Sequence, residues 1–221
     1  MPAIRNTLDL AKLNHSAELP FGLRLEDFAS AVQDAYDFFF DVNKFLEERH
    51  LQRLDDMLRP AAMSGVLSDT LTESLARHSR ALAVNGWHNG HPDLIVRGKY
   101  NNNAVESGEL GVEVKSTRKR GGAVDCHGAR NQWMCVFVYS VDNETEPASE
   151  RAPMTFTEIY IAPVEVADFR LNARSGDLGT RTATLHREGL VKLRSNWVYL
   201  DQPASTRKAA KRGNASQLSP K

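Results

Sequence analysis

The chain has few cysteines and no long apolar segment, two features that would each indicate a particular class of protein. It has only two cysteines, Cys126 and Cys135, which lie nine positions apart without metal-binding spacing. It has no run of about twenty apolar residues, and residues 1–15 lack the basic-then-apolar pattern of a signal peptide. These absences argue against a disulfide scaffold and predict two free thiols in a cytoplasmic protein that has no membrane partner.

The chain also lacks an excess of either charge, since 28 lysines and arginines balance 28 aspartates and glutamates. Affinity for nucleic acid would therefore have to come from local clusters of basic residues. Two such clusters are present: Lys115, Arg118, Lys119 and Arg120 in the first, and Arg207, Lys208, Lys211 and Arg212 in the second. The second lies among small and polar residues, which predicts a disordered tail that either contacts phosphates or only aids solubility.

The length of 221 residues suits one hydrophobic core with extensions. We interpret residues 1–66 as a helical N-terminal region that serves dimerisation or DNA recognition. Residues 67–200 form the core and a C-terminal DNA-contact segment, and residues 201–221 form the basic tail. Apolar residues spaced three and four apart between Leu23 and Leu46 predict a helix, in a helical run that Pro60 ends.

A second helix is predicted from Ser68 or Thr70 to about residue 83, because Thr70 and Glu73 fit a capping box. Strands are then predicted at 94–96 and 111–115, joined as an antiparallel hairpin around Asn103. Positions 93 and 113 are equidistant from Asn103, so they should lie opposite each other. The remaining predicted elements are a helix at 124–133, strands at 134–139 and 155–162, a short helix at 164–169, and strands at 181–185 and 197–200.

The hairpin carries three charged residues that suit phosphodiester chemistry. Glu113 and Lys115 point to the same face of their strand because side chains alternate, and Asp93 would join them from the neighbouring strand. Two carboxylates can hold Mg²⁺, which neutralises a phosphate and makes water more acidic. Lys115 could then orient or deprotonate the attacking water, or stabilise the charge that develops on phosphate.

Pro92-Asp93, a gap of nineteen residues, and Glu113-Val114-Lys115 together resemble the PD-(D/E)XK nuclease signature. Residues 68–162 are similar to the core of that family in their predicted order of helix, strand, strand, helix and strand. The resemblance implies an α/β, restriction-endonuclease-like core, with a central mixed β-sheet flanked by helices, behind a helical N-terminal extension. It also implies that Asp93 and Glu113 bind Mg²⁺ and that Lys115 assists the water.

Further residues are candidates for the same site. Members of the resembled family often place an extra carboxylate on the helix before the hairpin, which here would be Glu73, although Glu73 could instead cap that helix and pair with Arg77. His127, Arg130 and Gln132 could meet the scissile phosphate or form a solvated helix surface. The residues that we predict to contact DNA are Arg118, Lys119, Arg120, Arg130 and Arg181.

Simpler interpretations exist for single residues. Asp93 could cap a turn after Pro92, and Glu113 with Lys115 could be an exposed charge pair. His88 and His91 lie near Asp93 and could in principle bind zinc, but no further Cys or His at a suitable spacing joins them.

The sequence thus favours a Mg²⁺-dependent endonuclease for double-stranded DNA, of the type II restriction kind. Cutting both strands at a twofold site requires two active sites, which predicts a homodimer, and a restriction system would include a cognate DNA methyltransferase. The alternatives are a repair or junction-resolving nuclease and a DNA-binding protein without catalysis on a nuclease-like fold.

Overall fold

The computed structural model describes residues 4–172 and 182–201. These residues form a mixed α/β structure in which helices flank a central mixed sheet of six strands. The helices are α1 (Leu25–Glu47), α2 (Leu54–Met57), α3 (Pro60–His78) and α4 (Arg187–Ser195). The strands are β1 (Leu82–Val84), β2 (Leu94–Val96), β3 (Gly111–Thr117), β4 (Asp125–Cys126), β5 (Gln132–Ser140), β6 (Thr155–Val164), β7 (Phe169–Leu171), β8 (Ala183–Leu185) and β9 (Trp197–Leu200).

The central sheet has the strand order β1-β2-β3-β5-β6-β9, and a second sheet has the order β4-β8-β7. All neighbours in the central sheet are antiparallel except β3 and β5, which run parallel. A parallel pair needs a crossover rather than a tight turn. Residues 118–131 make this crossover and contribute β4 to the second sheet, and Cys126 of β4 packs in an apolar cluster with Met134 and Val136 of β5.

The two faces of the central sheet are covered by different elements. Val112 and Val114 of β3 pack in one apolar cluster with residues of α1 and α3. Met134 and Val136 of β5 belong to a second cluster, together with residues of β4, β8 and α4. Glu113 pairs with Met134 and Lys115 with Val136 across the parallel ladder. Both charged side chains therefore lie on the face that carries the small sheet and α4.

The N-terminal helices differ from the prediction in their boundaries. The helix that begins at Leu25 ends at Glu47, and Pro60 starts α3 rather than ending a helical run. Proline suits the first position of a helix because its missing N–H would have no partner there. Thr70 and Glu73 consequently lie inside α3 and form no capping box. The predicted domain boundary between residues 66 and 67 falls inside the same helix.

The helix predicted at 124–133 is wrong. Asp125 and Cys126 form β4, which pairs with Thr184 and Ala183 of β8, and Gln132 already begins β5. The short helix predicted at 164–169 is also wrong in extent, because Val164 ends β6 and only Val166–Asp168 form a 3₁₀ turn. Residues 82 and 83, assigned to the second helix, lie in β1.

Candidate metal centre

Asp93, Glu113 and Lys115 lie together at the centre of the sheet. The Nζ atom of Lys115 is 2.6 Å from Oε1 of Glu113 and 3.5 Å from Oδ2 of Asp93. The side chain of Glu113 is 2% exposed, whereas those of Lys115 and Asp93 are 20% and 29% exposed. Glu113 is therefore the most buried member of the cluster, and solvent reaches the cluster on the side of Asp93 and Lys115.

The hairpin register brings the two carboxylates together. Leu94 pairs with Val112 and Ile95 with Gly111, so continuing the register by one position sets Asp93 opposite Glu113. This register is the one that symmetry around Asn103 predicts. The backbone N–H of Val114 also donates a 2.8 Å hydrogen bond to Oδ2 of Asp93. The side chain of Asp93 is therefore held against the middle of β3.

The charges of the three groups depend strongly on one another. Burial raises the pKa of Asp93, and the negative charge of Glu113 raises it further. Burial would also raise the pKa of Glu113, but a hydrogen bond from His91 and the charge of Lys115 outweigh it and lower that pKa to about 2. Burial lowers the pKa of Lys115, yet the two carboxylates more than compensate and raise it. The lysine is therefore an ammonium group at neutral pH.

His91 is a member of the cluster that sequence reasoning did not assign to it. Its Nδ1 atom lies 3.2 Å from Oε2 of Glu113, and its side chain is 17% exposed. One potential ligand atom each from His91, Asp93 and Glu113 lies within 4.8 Å of the others. The signal in the sequence is that His91 lies only two residues from Asp93 in the chain.

Glu73 does not join the three predicted residues. It is exposed on α3, which packs against the Val112 and Val114 face of β3, opposite to Glu113 and Lys115. The polar contacts between α3 and β3 come instead from serines, since the Ser116 hydroxyl donates to the Ser64 carbonyl at 2.8 Å. Among the described residues, the group of potential metal ligands consists of His91, Asp93 and Glu113.

The basic residues that follow β3 differ in their surroundings. Arg118 donates to Oδ1 of Asn143 at 2.9 Å and lies over the ring of Tyr139, so it is directed away from the metal centre. Lys119 and Arg120 are exposed. Arg130 is partly buried, and its positive charge acts on the thiol of Cys126. Lys119, Arg120 and Arg130 thus remain candidates for contact with a polyanion, while Arg181 lies outside the described residues.

The crossover places two further candidates differently from the prediction, because the predicted helix is absent. His127 is exposed after β4. Gln132 is buried at the start of β5, two residues before Met134, and so shares the sheet face of Glu113. The cysteines are both free, as predicted, and both are buried. Burial raises the pKa of the Cys126 thiol to about 12, although the nearby charge of Lys115 acts to lower it.

The donor set suits a divalent cation. Two carboxylates and one imidazole nitrogen are common metal ligands, and three protein ligands leave coordination positions for water and substrate. Burial and the negative charge of Glu113 raise the pKa of Asp93, and a bound cation would neutralise this excess of negative charge. The residues present therefore fit a metal ion. In the metal-free protein, the ammonium of Lys115 compensates the charge of the carboxylates.

The described helices include none that is both long and apolar enough to cross a membrane. Comparison of the chain with protein-family models found no match, and neither did comparison with curated proteins. The geometry of the cluster thus carries the functional argument.

Proposed function

We propose that the chain is a Mg²⁺-dependent endonuclease that hydrolyses phosphodiester bonds of double-stranded DNA, of the type II restriction kind. The observation that carries this proposal is the meeting of Asp93, Glu113 and Lys115 on one face of adjacent strands, with the ammonium in contact with both carboxylates. The six-stranded mixed sheet and its flanking helices are compatible with a restriction-endonuclease-like core.

In this proposal the two carboxylates hold the metal. Asp93 is already oriented by the N–H of Val114, and Glu113 is buried within β3. When bound, Mg²⁺ supplies charge neutralisation at the phosphate and makes water more acidic. Carboxylates fixed by the sheet require little rearrangement on binding, which favours a precise position of the phosphate.

Lys115 stabilises charge rather than removing a proton. Its pKa is raised, so the ammonium keeps its proton at neutral pH in the metal-free protein. A preorganised ammonium donates hydrogen bonds to a phosphate oxygen or to the attacking water, and it is most effective as negative charge develops on phosphate. Of the two roles open to Lys115, we therefore propose stabilisation of charge rather than deprotonation of water.

DNA is the proposed partner because the exposed Lys119 and Arg120 lie within three residues of the end of the strand that carries Glu113 and Lys115. Cutting both strands requires two such sites, so we propose a homodimer. Phe38 and Phe45 of α1 are exposed and are candidates for its interface. A restriction enzyme of this kind would act beside a cognate DNA methyltransferase in the cytoplasm.

The test is incubation of the purified protein with supercoiled plasmid DNA and Mg²⁺. We expect discrete fragments from the native protein and no cleavage from Asp93→Asn. The matched control is Glu109→Gln, which removes an exposed carboxylate in the connection between β2 and β3 and should cleave normally. Ca²⁺ should support DNA binding without cleavage because its coordination is larger and more flexible than that of Mg²⁺.

Each other outcome contradicts a defined part of the proposal. A smear, or cleavage confined to branched DNA, would contradict site-specific restriction and indicate a repair or junction-resolving nuclease. DNA binding without cleavage in any divalent metal would indicate a binding protein on a nuclease-like fold. Cleavage by Asp93→Asn at the native rate would remove Asp93 from the metal site.

A further inference from the structure

His91 brings a nitrogen donor to the two carboxylates. Its Nδ1 atom lies 3.2 Å from Oε2 of Glu113, while Lys115 contacts the other oxygen of that carboxylate, Oε1. The imidazole and the ammonium thus flank Glu113 on separate oxygens. Because one ligand atom of each of His91, Asp93 and Glu113 lies within 4.8 Å of the others, a single ion between them is within reach of all three.

The backbone around His91 is fixed independently of its side chain. The N–H of His91 donates to the carbonyl of Glu106 at 3.0 Å, and its carbonyl accepts from the N–H of Gly108 at 2.8 Å. Asn85 donates to the carbonyls of Pro92 and Val105, at 3.1 and 2.8 Å, and so joins the two sides of the same loop. The imidazole is therefore positioned before any ion binds, as in a preorganised ligand set.

We propose that His91 is the third protein ligand of the metal and that its nitrogen makes the site prefer a first-row transition-metal dication to Mg²⁺. This inference rests on the proposed function for the existence of a metal site at Asp93 and Glu113. Mg²⁺ binds chiefly oxygen ligands and retains several waters, whereas imidazole nitrogen binds transition metals more strongly. A mixed set of one nitrogen and two carboxylates therefore discriminates between the two classes by affinity, whereas the Mg²⁺ dependence of the proposed function reflects which ion is available.

The experiment measures metal binding by the full chain without DNA. Co²⁺ is the transition-metal probe, because its visible absorption changes when nitrogen joins its ligands, and Mg²⁺ is the comparison ion. Isothermal titration gives the affinity for each ion, and the Co²⁺ spectrum reports the ligand set. The variant is His91→Ala, and the matched control is His88→Ala, which removes an exposed histidine from the same loop.

The native protein should bind Co²⁺ more tightly than Mg²⁺. His91→Ala should lose about 10- to 100-fold in Co²⁺ affinity, since even residues that only support a metal ligand cost this much when changed. Its Mg²⁺ affinity should change by less than about threefold, because Mg²⁺ takes oxygen ligands that remain. The Co²⁺ spectrum should shift in His91→Ala and stay unchanged in His88→Ala.

A second variant tests whether a folding defect in His91→Ala explains the loss of Co²⁺ affinity. His91→Asn keeps a side-chain group that can hydrogen-bond to Glu113 but removes the imidazole, so it should also lose the preference for Co²⁺. Unaltered Co²⁺ affinity in both variants would overturn the role of His91 and leave the Mg²⁺ nuclease proposal standing. Equal losses for both ions in His91→Ala would also overturn ligation, because they would show that His91 only positions Glu113.

The control for the site itself is Asp93→Asn, which should weaken the binding of both ions. Failure of the native protein to bind either ion would overturn this inference and the proposed metal site together. Native Co²⁺ binding that Asp93→Asn does not weaken would place the ion elsewhere and likewise overturn the inference.

Discussion

The ammonium of Lys115 lies 2.6 Å from Oε1 of Glu113, its neighbour two residues away on the same face of β3. The same nitrogen lies 3.5 Å from Oδ2 of Asp93 on the adjoining segment. The single positive charge of Lys115 therefore compensates the negative charges of both carboxylates in the metal-free protein. A bound cation would compensate these charges instead, and the ammonium of Lys115 could then contact a substrate phosphate.

Lys115→Ala should separate metal binding from catalysis. The variant should bind Mg²⁺ and DNA, because both carboxylates remain, but it should cleave about 100-fold more slowly, a loss of about 3 kcal/mol in transition-state stabilisation. Single-turnover cleavage and Mg²⁺-dependent DNA binding are measured on the same preparation. Lys99→Ala, which changes an exposed lysine after β2, is the matched control and should cleave normally. Native cleavage by Lys115→Ala would leave the lysine with a purely structural role.

The two carboxylates should differ in their effect on acid stability, measured by urea unfolding in the presence of a chelator. The folded-state pKa of Glu113 is about 2, below its ordinary value of 4.5, so its charge stabilises the fold above pH 4.5. That contribution, about 3 kcal/mol for such a shift, is lost as the pH falls from 4.5 towards 2. Glu113→Gln should therefore be less stable than the native protein at pH 7 and lose less stability on acidification.

Asp93→Asn should behave in the opposite way. Burial and the charge of Glu113 raise the pKa of Asp93, so its ionised form destabilises the fold at neutral pH. The variant should be at least as stable as the native protein at pH 7, and its advantage should shrink as Asp93 becomes protonated in acid. A loss of stability in Asp93→Asn as large as that in Glu113→Gln would contradict this assignment of the two pKa shifts.

The hairpin and its charged residues could be predicted from the sequence because their signals are local. Alternation in 111–115 sets Glu113 and Lys115 on one face, and symmetry around Asn103 gives the observed register of Leu94 with Val112. The buried strand at 134–139 was also recognisable from its apolar run, and it lies within β5. Each of these features depends on residues close together in the chain.

Other features depend on contacts between distant residues and could not be predicted in this way. β4 is a strand because Asp125 and Cys126 pair with β8, about sixty residues further along the chain, as the register of Asp125 with Thr184 shows. His91 reaches Glu113 because segment 106–108 and Asn85 hold its loop. A zinc pattern of cysteines and histidines does not identify His91, since its neighbours in space are the carboxylates of Asp93 and Glu113.

The four basic residues of the tail lie outside the described residues, and they lead to a separate prediction about DNA affinity. If Arg207, Lys208, Lys211 and Arg212 contact phosphates, truncation after Gln202 should weaken binding and reduce the slope of log affinity against log salt by up to about 3.6. Sequence preference should persist because phosphate contacts carry no base information. DNA affinity measured at several salt concentrations tests this, and an unaltered slope would show that the tail makes no phosphate contacts.

Gly111 is not a metal ligand, but Gly111→Ala should disturb the metal centre by displacing Asp93. A Cβ atom at Gly111 would lie 1.9 Å from the carbonyl oxygen of Leu94 and 2.6 Å from Cγ of Pro92, so the backbone of β2 would have to move away from β3. Such a shift costs about 1–3 kcal/mol in the free energy of unfolding. It would also displace Asp93, which lies between Pro92 and Leu94, and thereby weaken Mg²⁺ binding and cleavage.

The matched control for this change is Gly65→Ala. Gly65 lies inside α3 with no atom within 4 Å of an added Cβ, so alanine should raise the free energy of unfolding by about 1 kcal/mol and leave Mg²⁺ binding as it is. Urea unfolding and Mg²⁺ titration of both variants distinguish the two effects. Native stability and native Mg²⁺ affinity in Gly111→Ala would contradict the close approach of β2 to β3, and with it the register that sets Asp93 opposite Glu113.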